Sequence, residues 1–299
     1  MRATSLPPDD PLRKVATAES GSRLTAVHGW RELGRKTLRD LDALDAPVEA
    51  SLAVTLPPWT RAEGVTIAVS AGPDCARGKA EDTRRAAAEK LLEELPGADR
   101  AIWLWSDGSA TGGVTAGGGG ALITLPGGDT LEVRTPAGAY CSSTRAELVA
   151  LRDALARVEE HEGAASPEPA APIIACLDSR AALMTLESGP ASQTTYLGAE
   201  VWRRLLALAE RGRPIHLQWV PAHCGLAGNE RADAIAKEAA ELDQTSAPLD
   251  IRSATRAAAR AASRAWQLDW PDGWFKEIFG HQKTPGPVRG DCRTTAVDI

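Results

Sequence analysis

"IHLQWVPAHCGLAGNERADAIAKEAAEL", residues 215–242, reads as a strand, a glycine-containing loop and a helix. The apolar-rich run Ile215–Val220 has strand length, and the segment from Asn229 onward closes as a helix. Between them, His223 and Cys224 stand in a loop with Gly225 and Gly228, and Asp233 falls in the first turns of the helix. The His-Cys pair raises the question of a metal site or an activated thiol. A thiol nucleophile needs a base and a fixed geometry that a glycine-flanked loop does not supply, so Cys224 is read as incidental. The chemistry then moves downstream, to the carboxylate.

Upstream of this stretch, strands and helices alternate from Ala101, the signature of an α/β domain. "AIWLWSDGS" is a short apolar run ending in an acid. "GGGGALITLP" and "TLEVRTPAG" are two further strands, joined by the turn signal Gly127-Gly128-Asp129, and they make an antiparallel meander with the first. "SSTRAELVALRDALARVEEH" is a helix. Ser142, Ser143 or Thr144 is its N-cap, and Leu148, Leu151, Leu155 and Val158 lie on one face. After a Pro/Ala/Glu-rich loop come the strand "IIACLD", the short helix "SRAALMTLES", and the helix "YLGAEVWRRLLALAERG", which Gly212 and Pro214 end.

Residues 1–99 read as a connector, a partly helical extension. It contains the helices "GWRELGRKTLRDLDAL" and "KAEDTRRAAAEKLLEELPG" and two possible short strands, "SLAVTLPPW" and "GVTIAVSAG". Residues 100–245 are the α/β domain, and 246–299 a tail. In the tail Arg252, Arg256, Arg260 and Arg264 share one helix face, and the Pro/Gly-rich part beyond Trp270 is expected to be irregular.

The 299 residues, 43% hydrophobic and 25% charged, have the composition of a soluble globular protein. No stretch approaches the ~18 consecutive apolar residues of a membrane span, and "MRATSLPPDDPLRK" has no apolar segment after its basic residue. The expectation is an intracellular protein, cytoplasmic or nuclear, without signal peptide or membrane contact. Five scattered cysteines, never spaced as CxxC, argue against a disulfide framework or a structural zinc site. Trp59, Trp103, Trp105, Trp202 and Trp219 are expected in packing rather than as base-stacking platforms.

Four carboxylates occupy matching places. Asp107 and Asp178 each follow an apolar strand and precede a small residue. If the two strands are adjacent and parallel, both acids emerge at the same sheet edge, where α/β proteins place their sites. Glu147 lies one turn into a helix, and Asp233 near the start of another. Singly, each fits a solvated strand end or a favourable helix-dipole position. Gathered together, they would repel one another unless cations neutralised them, which suits hard divalent ions such as Mg²⁺ or Mn²⁺ and two-metal phosphoryl chemistry.

"SDGS", "TRAELVAL", "LDSRAAL" and "WVPAHCGLAGNERADAIAKEA", in this order on this pattern of elements, resemble type 1 ribonuclease H. The form most like it lies downstream of reverse transcriptase in non-LTR retrotransposon polyproteins. The resemblance implies a ribonuclease H-like fold: a five-stranded mixed sheet, three strands antiparallel and then two parallel, flanked by helices. It implies Asp107, Glu147, Asp178 and Asp233 as ligands of two metal ions, Asp107 bridging them. Asp233 would complete the site of the nucleophilic water, and Glu147 and Asp178 would hold the ion near the leaving 3′ oxygen. His223 would be the loop histidine, moving protons or assisting product release. The implied reaction is endonucleolytic hydrolysis of the RNA strand of an RNA·DNA hybrid, leaving 5′-phosphate and 3′-hydroxyl ends, with a reverse transcriptase module as a possible partner. Ser109, Asn229, Arg256 and Arg260 are the expected nucleic-acid contacts.

Two departures accompany the likeness. Ser106 stands where threonine is frequent, and between Trp202 and Ile215 helix leads directly to strand, without the basic protrusion of some cellular members. Residues 101–245 carry 11 Lys/Arg and 18 Asp/Glu, a balance of −7. That surface is poor for a polyanion, so affinity would come from neighbouring elements. "GGVTAGGGG" lacks the Lys-Ser/Thr of a P-loop and reads as a permissive hairpin beside the site. The alternatives are a degenerate hybrid-binding or structural module, against which all four acids stand, and an integrase-like nuclease. The latter is disfavoured because Glu147 comes between the two strand-borne aspartates. A zinc site from His223, Cys224, His281 and Cys292 fails on spacing.

Overall fold

The computed structural model describes residues 30–43, 45–50, 56–162 and 170–269, with Asp9, Pro11 and Lys14 besides. Seven helices are labelled here: α1 Trp30–Asp40, α2 Glu81–Glu93, α3 Ser143–Glu162, α4 Arg180–Glu187, α5 Tyr196–Glu210, α6 Ala227–Ala240 and α7 Ile251–Asp269. The strands are β1 Val65–Ala68, β2 Ile102–Thr111, β3 Thr115–Thr124, β4 Thr130–Tyr140, β5 Ile173–Leu177 and β6 Ile215–Trp219. One compact unit runs to Ala254 and a second begins at Thr255.

The sheet order is β1-β6-β5-β2-β3-β4. The meander β2-β3-β4 is antiparallel, and β2, β5, β6 and β1 pair in parallel. The expected three-plus-two arrangement is therefore present, but the sheet has six strands, not five. The sixth is "VTIA" of the connector, which adds along β6 in the register Val65↔Ile215 to Ala68↔Gln218. Without it, β6 would present an unpaired row of backbone donors and acceptors. Residues 51–55 lie outside the described set, and Leu56–Trp59 form no strand.

Period-two alternation sorts β2 between two cores. Ile102 and Leu104 face the larger one, with Leu148, Leu151, Leu155 and Val158 of α3 and Val201, Trp202, Leu205 and Leu208 of α5. Trp103 faces the other, with Ile174 and Cys176 of β5 and Ala87, Ala88, Leu91 and Leu92 of α2. At about 25 cal/mol per Å² of apolar surface withdrawn from water, these layers supply the main drive for folding. Strand β5 is buried along its whole length, as its unbroken apolar run requires of a central parallel strand.

The helix ends follow their caps. Ser142 Oγ accepts from the Arg145 N–H at the start of α3, Ser179 caps α4 and Thr195 caps α5. α5 ends at Glu210, five residues before β6, with no protrusion between them. α7 carries the arginine stripe, and residues beyond Asp269 lie outside the described set. Trp103 and Trp202 are buried and Trp105 and Trp219 half-buried, but Trp59 is 79% exposed and packs in no core. Cys75, Cys141, Cys176 and Cys224 are free and buried; Cys292 is not among the described residues. No helix among the described residues is long and apolar enough to cross a membrane.

Candidate active site

Strands β2 and β5 pair in parallel up to Ser106↔Leu177, so the next residue on each, Asp107 and Asp178, leaves the same edge of the sheet. Glu147 is brought to them by a close approach. A Cβ on Gly108 would lie 2.2 Å from the Glu147 backbone nitrogen, so only glycine lets β2 pass so near α3. The Gly108 N–H donates to Asp107 Oδ1 at 2.7 Å. Asn229 donates its side-chain amide to Asp178 Oδ2 at 3.1 Å, and the Trp219 indole donates to the Asp178 carbonyl at 2.9 Å. One carboxylate oxygen each from Asp107, Glu147 and Asp178 lies within 4.8 Å of the others.

Asp233 arrives by a second close approach. A Cβ on Gly120 would meet the Ala236 nitrogen at 2.2 Å, and one on Gly118 would meet the Ala236 carbonyl at the same distance. The glycine run is thus a bare strip on which α6 lies main chain to main chain, rather than a permissive hairpin alone. Asp233 groups with His223 and Glu230, whose ligand atoms also lie within 4.8 Å of one another. Lys237 donates to Asp233 Oδ2 at 2.6 Å. The four acids are therefore a triad of buried Asp107 and Glu147 with half-buried Asp178 and, beside it, a more open group. Glu230 was not singled out from the sequence; its signal was the i, i+3 spacing to Asp233 on one helix face.

Burial, then the Asp178 charge and the Asp233 charge push Asp107 up to about 6, against the pull of the Gly108 N–H. Glu147 is driven well above the usual carboxylate range by burial first, then by Asp107 and Asp178. Asp178 is raised by burial, with the Asn229 amide and the His223 charge opposing. Glu147 Oε2 is buried and has no hydrogen-bond partner. An orphaned carboxylate oxygen on a residue grouped with two further acids fits a divalent cation, whose charge would let all three ionise. The donor set is all oxygen, as Mg²⁺ and Mn²⁺ prefer.

His223 is exposed and has a left-handed backbone, φ +47°. Its loop is tied rather than loose: Arg84 of α2 donates to the Ala222 carbonyl at 2.9 Å and to the His223 carbonyl at 3.3 Å. Gly225, at φ +82°, supplies a true turn position. Gly228 does not, because it lies inside α6 against Trp105, where a Cβ would come within 2.3 Å of the indole. Cys224 is buried with its thiol on the Pro221 carbonyl, and burial raises its pKa, which suits packing rather than nucleophilic attack.

Of the expected nucleic-acid contacts, Ser109 is half-buried on β2, two residues beyond Asp107, and Asn229 is buried with its amide engaged by Asp178. Arg256 and Arg260 are exposed on the part of α7 that belongs to the second unit.

Residues 99–241, just under half of the chain, match the ribonuclease H family model. The chain carries a ribonuclease H domain. A ribonuclease H of Shewanella amazonensis is 42% identical to it over 55 residues, which are 18% of this chain and 35% of that protein's length. Among solved structures, LC11-RNase H1 from compost covers 48% of this chain with 96% of its own, at 23% identity and a TM-score of 0.38. The N-terminal RNase H domain of a Mycobacterium tuberculosis protein, solved as a fusion with maltose-binding protein, covers 47% with 99% of its own chain, at 22% identity and a TM-score of 0.37. The six-stranded mixed sheet with helices on both faces is a ribonuclease H-like fold.

Proposed function

We propose that this chain is a metal-dependent endoribonuclease that hydrolyses the RNA strand of RNA·DNA hybrids, leaving 5′-phosphate and 3′-hydroxyl ends. The observation that carries the reading is the triad of buried Asp107 and Glu147 with half-buried Asp178, Glu147 Oε2 being unpaired, inside the segment that matches the ribonuclease H family. Asp107, Glu147, Asp178 and Asp233 would hold two divalent ions, Mg²⁺ or Mn²⁺. When bound, such ions activate a water and stabilise the departing oxygen. The protein's own part is to keep these carboxylates converged and ready to ionise. Gly108 and Gly120 set the spacing, Asn229 orients Asp178, and the Gly108 N–H orients Asp107. His223, at the open side next to Asp233, would move protons or help product leave.

The resemblance of the four motifs to the non-LTR retrotransposon form supports a place in such a polyprotein, with a reverse transcriptase module as neighbour and work in the cytoplasm or nucleus. The acidic balance of residues 101–245 assigns part of the hybrid affinity to elements outside that segment, Arg256 and Arg260 among them. The test is cleavage of labelled hybrid with Mg²⁺ by purified wild type and Asp107→Asn. Wild type should cut the RNA strand and the variant should lose at least about a hundredfold in rate. Equal rates, or no hybrid-dependent cleavage with any divalent ion, would defeat the proposal.

A further inference from the structure

We infer that Arg84, which lies outside the segment matching the ribonuclease H family, is the positioning residue of the His223 loop, so that α2 completes the active site. The inference rests on the proposed role of His223. Helix α2 is held in place independently of Arg84, because Ala88 and Leu91 pack in the same core as Val220 and Cys224, which lie on either side of His223 in the chain. From that anchored helix the Arg84 guanidinium reaches the carbonyls of Ala222 and His223. These two carbonyls flank the His223 Cα. A planar fork with fixed donor directions that bonds both restricts rotation about the φ and ψ between them.

Restriction is needed at this residue. A histidine at φ +47° occupies the left-handed region that L residues avoid, and without a restraint the peptide relaxes toward a right-handed or extended conformation. Such a relaxation turns the Cα–Cβ direction and carries the imidazole away from Glu230 and Asp233, with which it now forms a group. The neighbouring Cys224 and Leu226 are buried and hold the far side of the loop, which leaves the His223 peptide as the part that Arg84 decides. Arg84 is half-buried, and its bond to the Ala222 carbonyl is partly shielded from competing water, whereas the one to the His223 carbonyl is exposed.

The experiment uses the full chain as wild type, Arg84→Ala, Arg84→Lys, His223→Ala and the Arg84→Ala/His223→Ala double variant. Amide hydrogen exchange of residues 222–226 is measured on metal-free protein, and kcat and KM on labelled hybrid with Mg²⁺. Arg84→Ala should speed exchange in this loop while the β2 and β5 amides keep their protection. It should lower kcat by about tenfold with KM nearly unchanged, with partial recovery in Arg84→Lys, which can bond only one carbonyl well. In the double variant the loss should equal that of His223→Ala alone. Unchanged loop exchange in Arg84→Ala overturns the inference, as do losses that multiply in the double variant. If His223→Ala keeps the wild-type kcat, the role proposed for His223 falls, and the exchange result alone then decides whether Arg84 holds the loop.

Discussion

Replacing Asp107 by asparagine should abolish cleavage and yet stabilise the metal-free protein, by an amount that depends on pH. In the unfolded chain Asp107 ionises near 3.8; in the folded protein burial and the Asp178 and Asp233 charges raise this to about 6. The difference of about two units corresponds to about 3 kcal/mol at about 1.36 kcal/mol per unit. Its sign follows from which state holds the proton. Below about pH 3 both states are protonated and the group costs the fold nothing. As pH rises from 4 through 6, the unfolded state gains the ionised form before the folded state does, and stability is lost; above about 7 the loss is complete. Asparagine has no charge at any pH and can still accept from the Gly108 N–H. Urea unfolding in EDTA should therefore show Asp107→Asn about equal to wild type near pH 3 and about 3 kcal/mol more stable at pH 8. Millimolar Mg²⁺ should restore wild-type stability at pH 8 by about 2–3 kcal/mol if it exceeds the dissociation constant about a hundredfold, with less gain in the variant. A variant that is less stable than wild type in EDTA at pH 8, or a difference that does not change with pH, would refute this electrostatic account.

Gly120→Ala adds one methyl at a point 2.2 Å from the Ala236 nitrogen. It should cost about 1–3 kcal/mol or more by displacing α6, and hybrid cleavage should fall further than stability does, since Asp233 rides on that helix. Denaturant melts and kcat measured on the same sample separate the two effects; an unchanged melt would show that the helix yields freely. Neutralising Arg256 and Arg260 together should flatten the plot of log binding constant against log salt for RNA·DNA hybrid by about one to two units of slope if both meet phosphate. An unchanged slope assigns the affinity elsewhere.

Much of the site was legible because its acids are announced by what precedes them. Apolar runs as uniform as "AIWLW" and "IIACL" read as central strands, and the acid that closes each, Asp178 directly and Asp107 after Ser106, falls where the strand leaves the core. Glu147 was legible from its place at the head of a well-marked amphipathic helix. What the sequence hid depends on contacts distant along the chain. "VTIA" shows strand character, but its four residues carry no mark of which edge they join. Glu230 looks like any helix-start acid until α6 is laid on the sheet. The glycine run shows flexibility in sequence and close packing in space, because one missing Cβ serves both. Arg84 is one of two adjacent, exposed-looking arginines on a charged helix, and only the fold reveals the carbonyls it meets. Trp59 went the other way, since an aromatic residue carries the expectation of burial and here stays in solvent.

The pairing of β1 with β6 also has a consequence in time. Thr66 and His216, hydrogen-bonded partners at 2.8 Å, are 150 residues apart in the chain. At synthesis rates of roughly 5–20 residues per second, β1 waits on the order of ten seconds for its partner to be made. Contacts this non-local form late, because the loop must close before they contribute anything. Among the described strands the last to seat is thus the earliest in the chain, and until it seats, the edge of β6 is open to any other extended chain nearby.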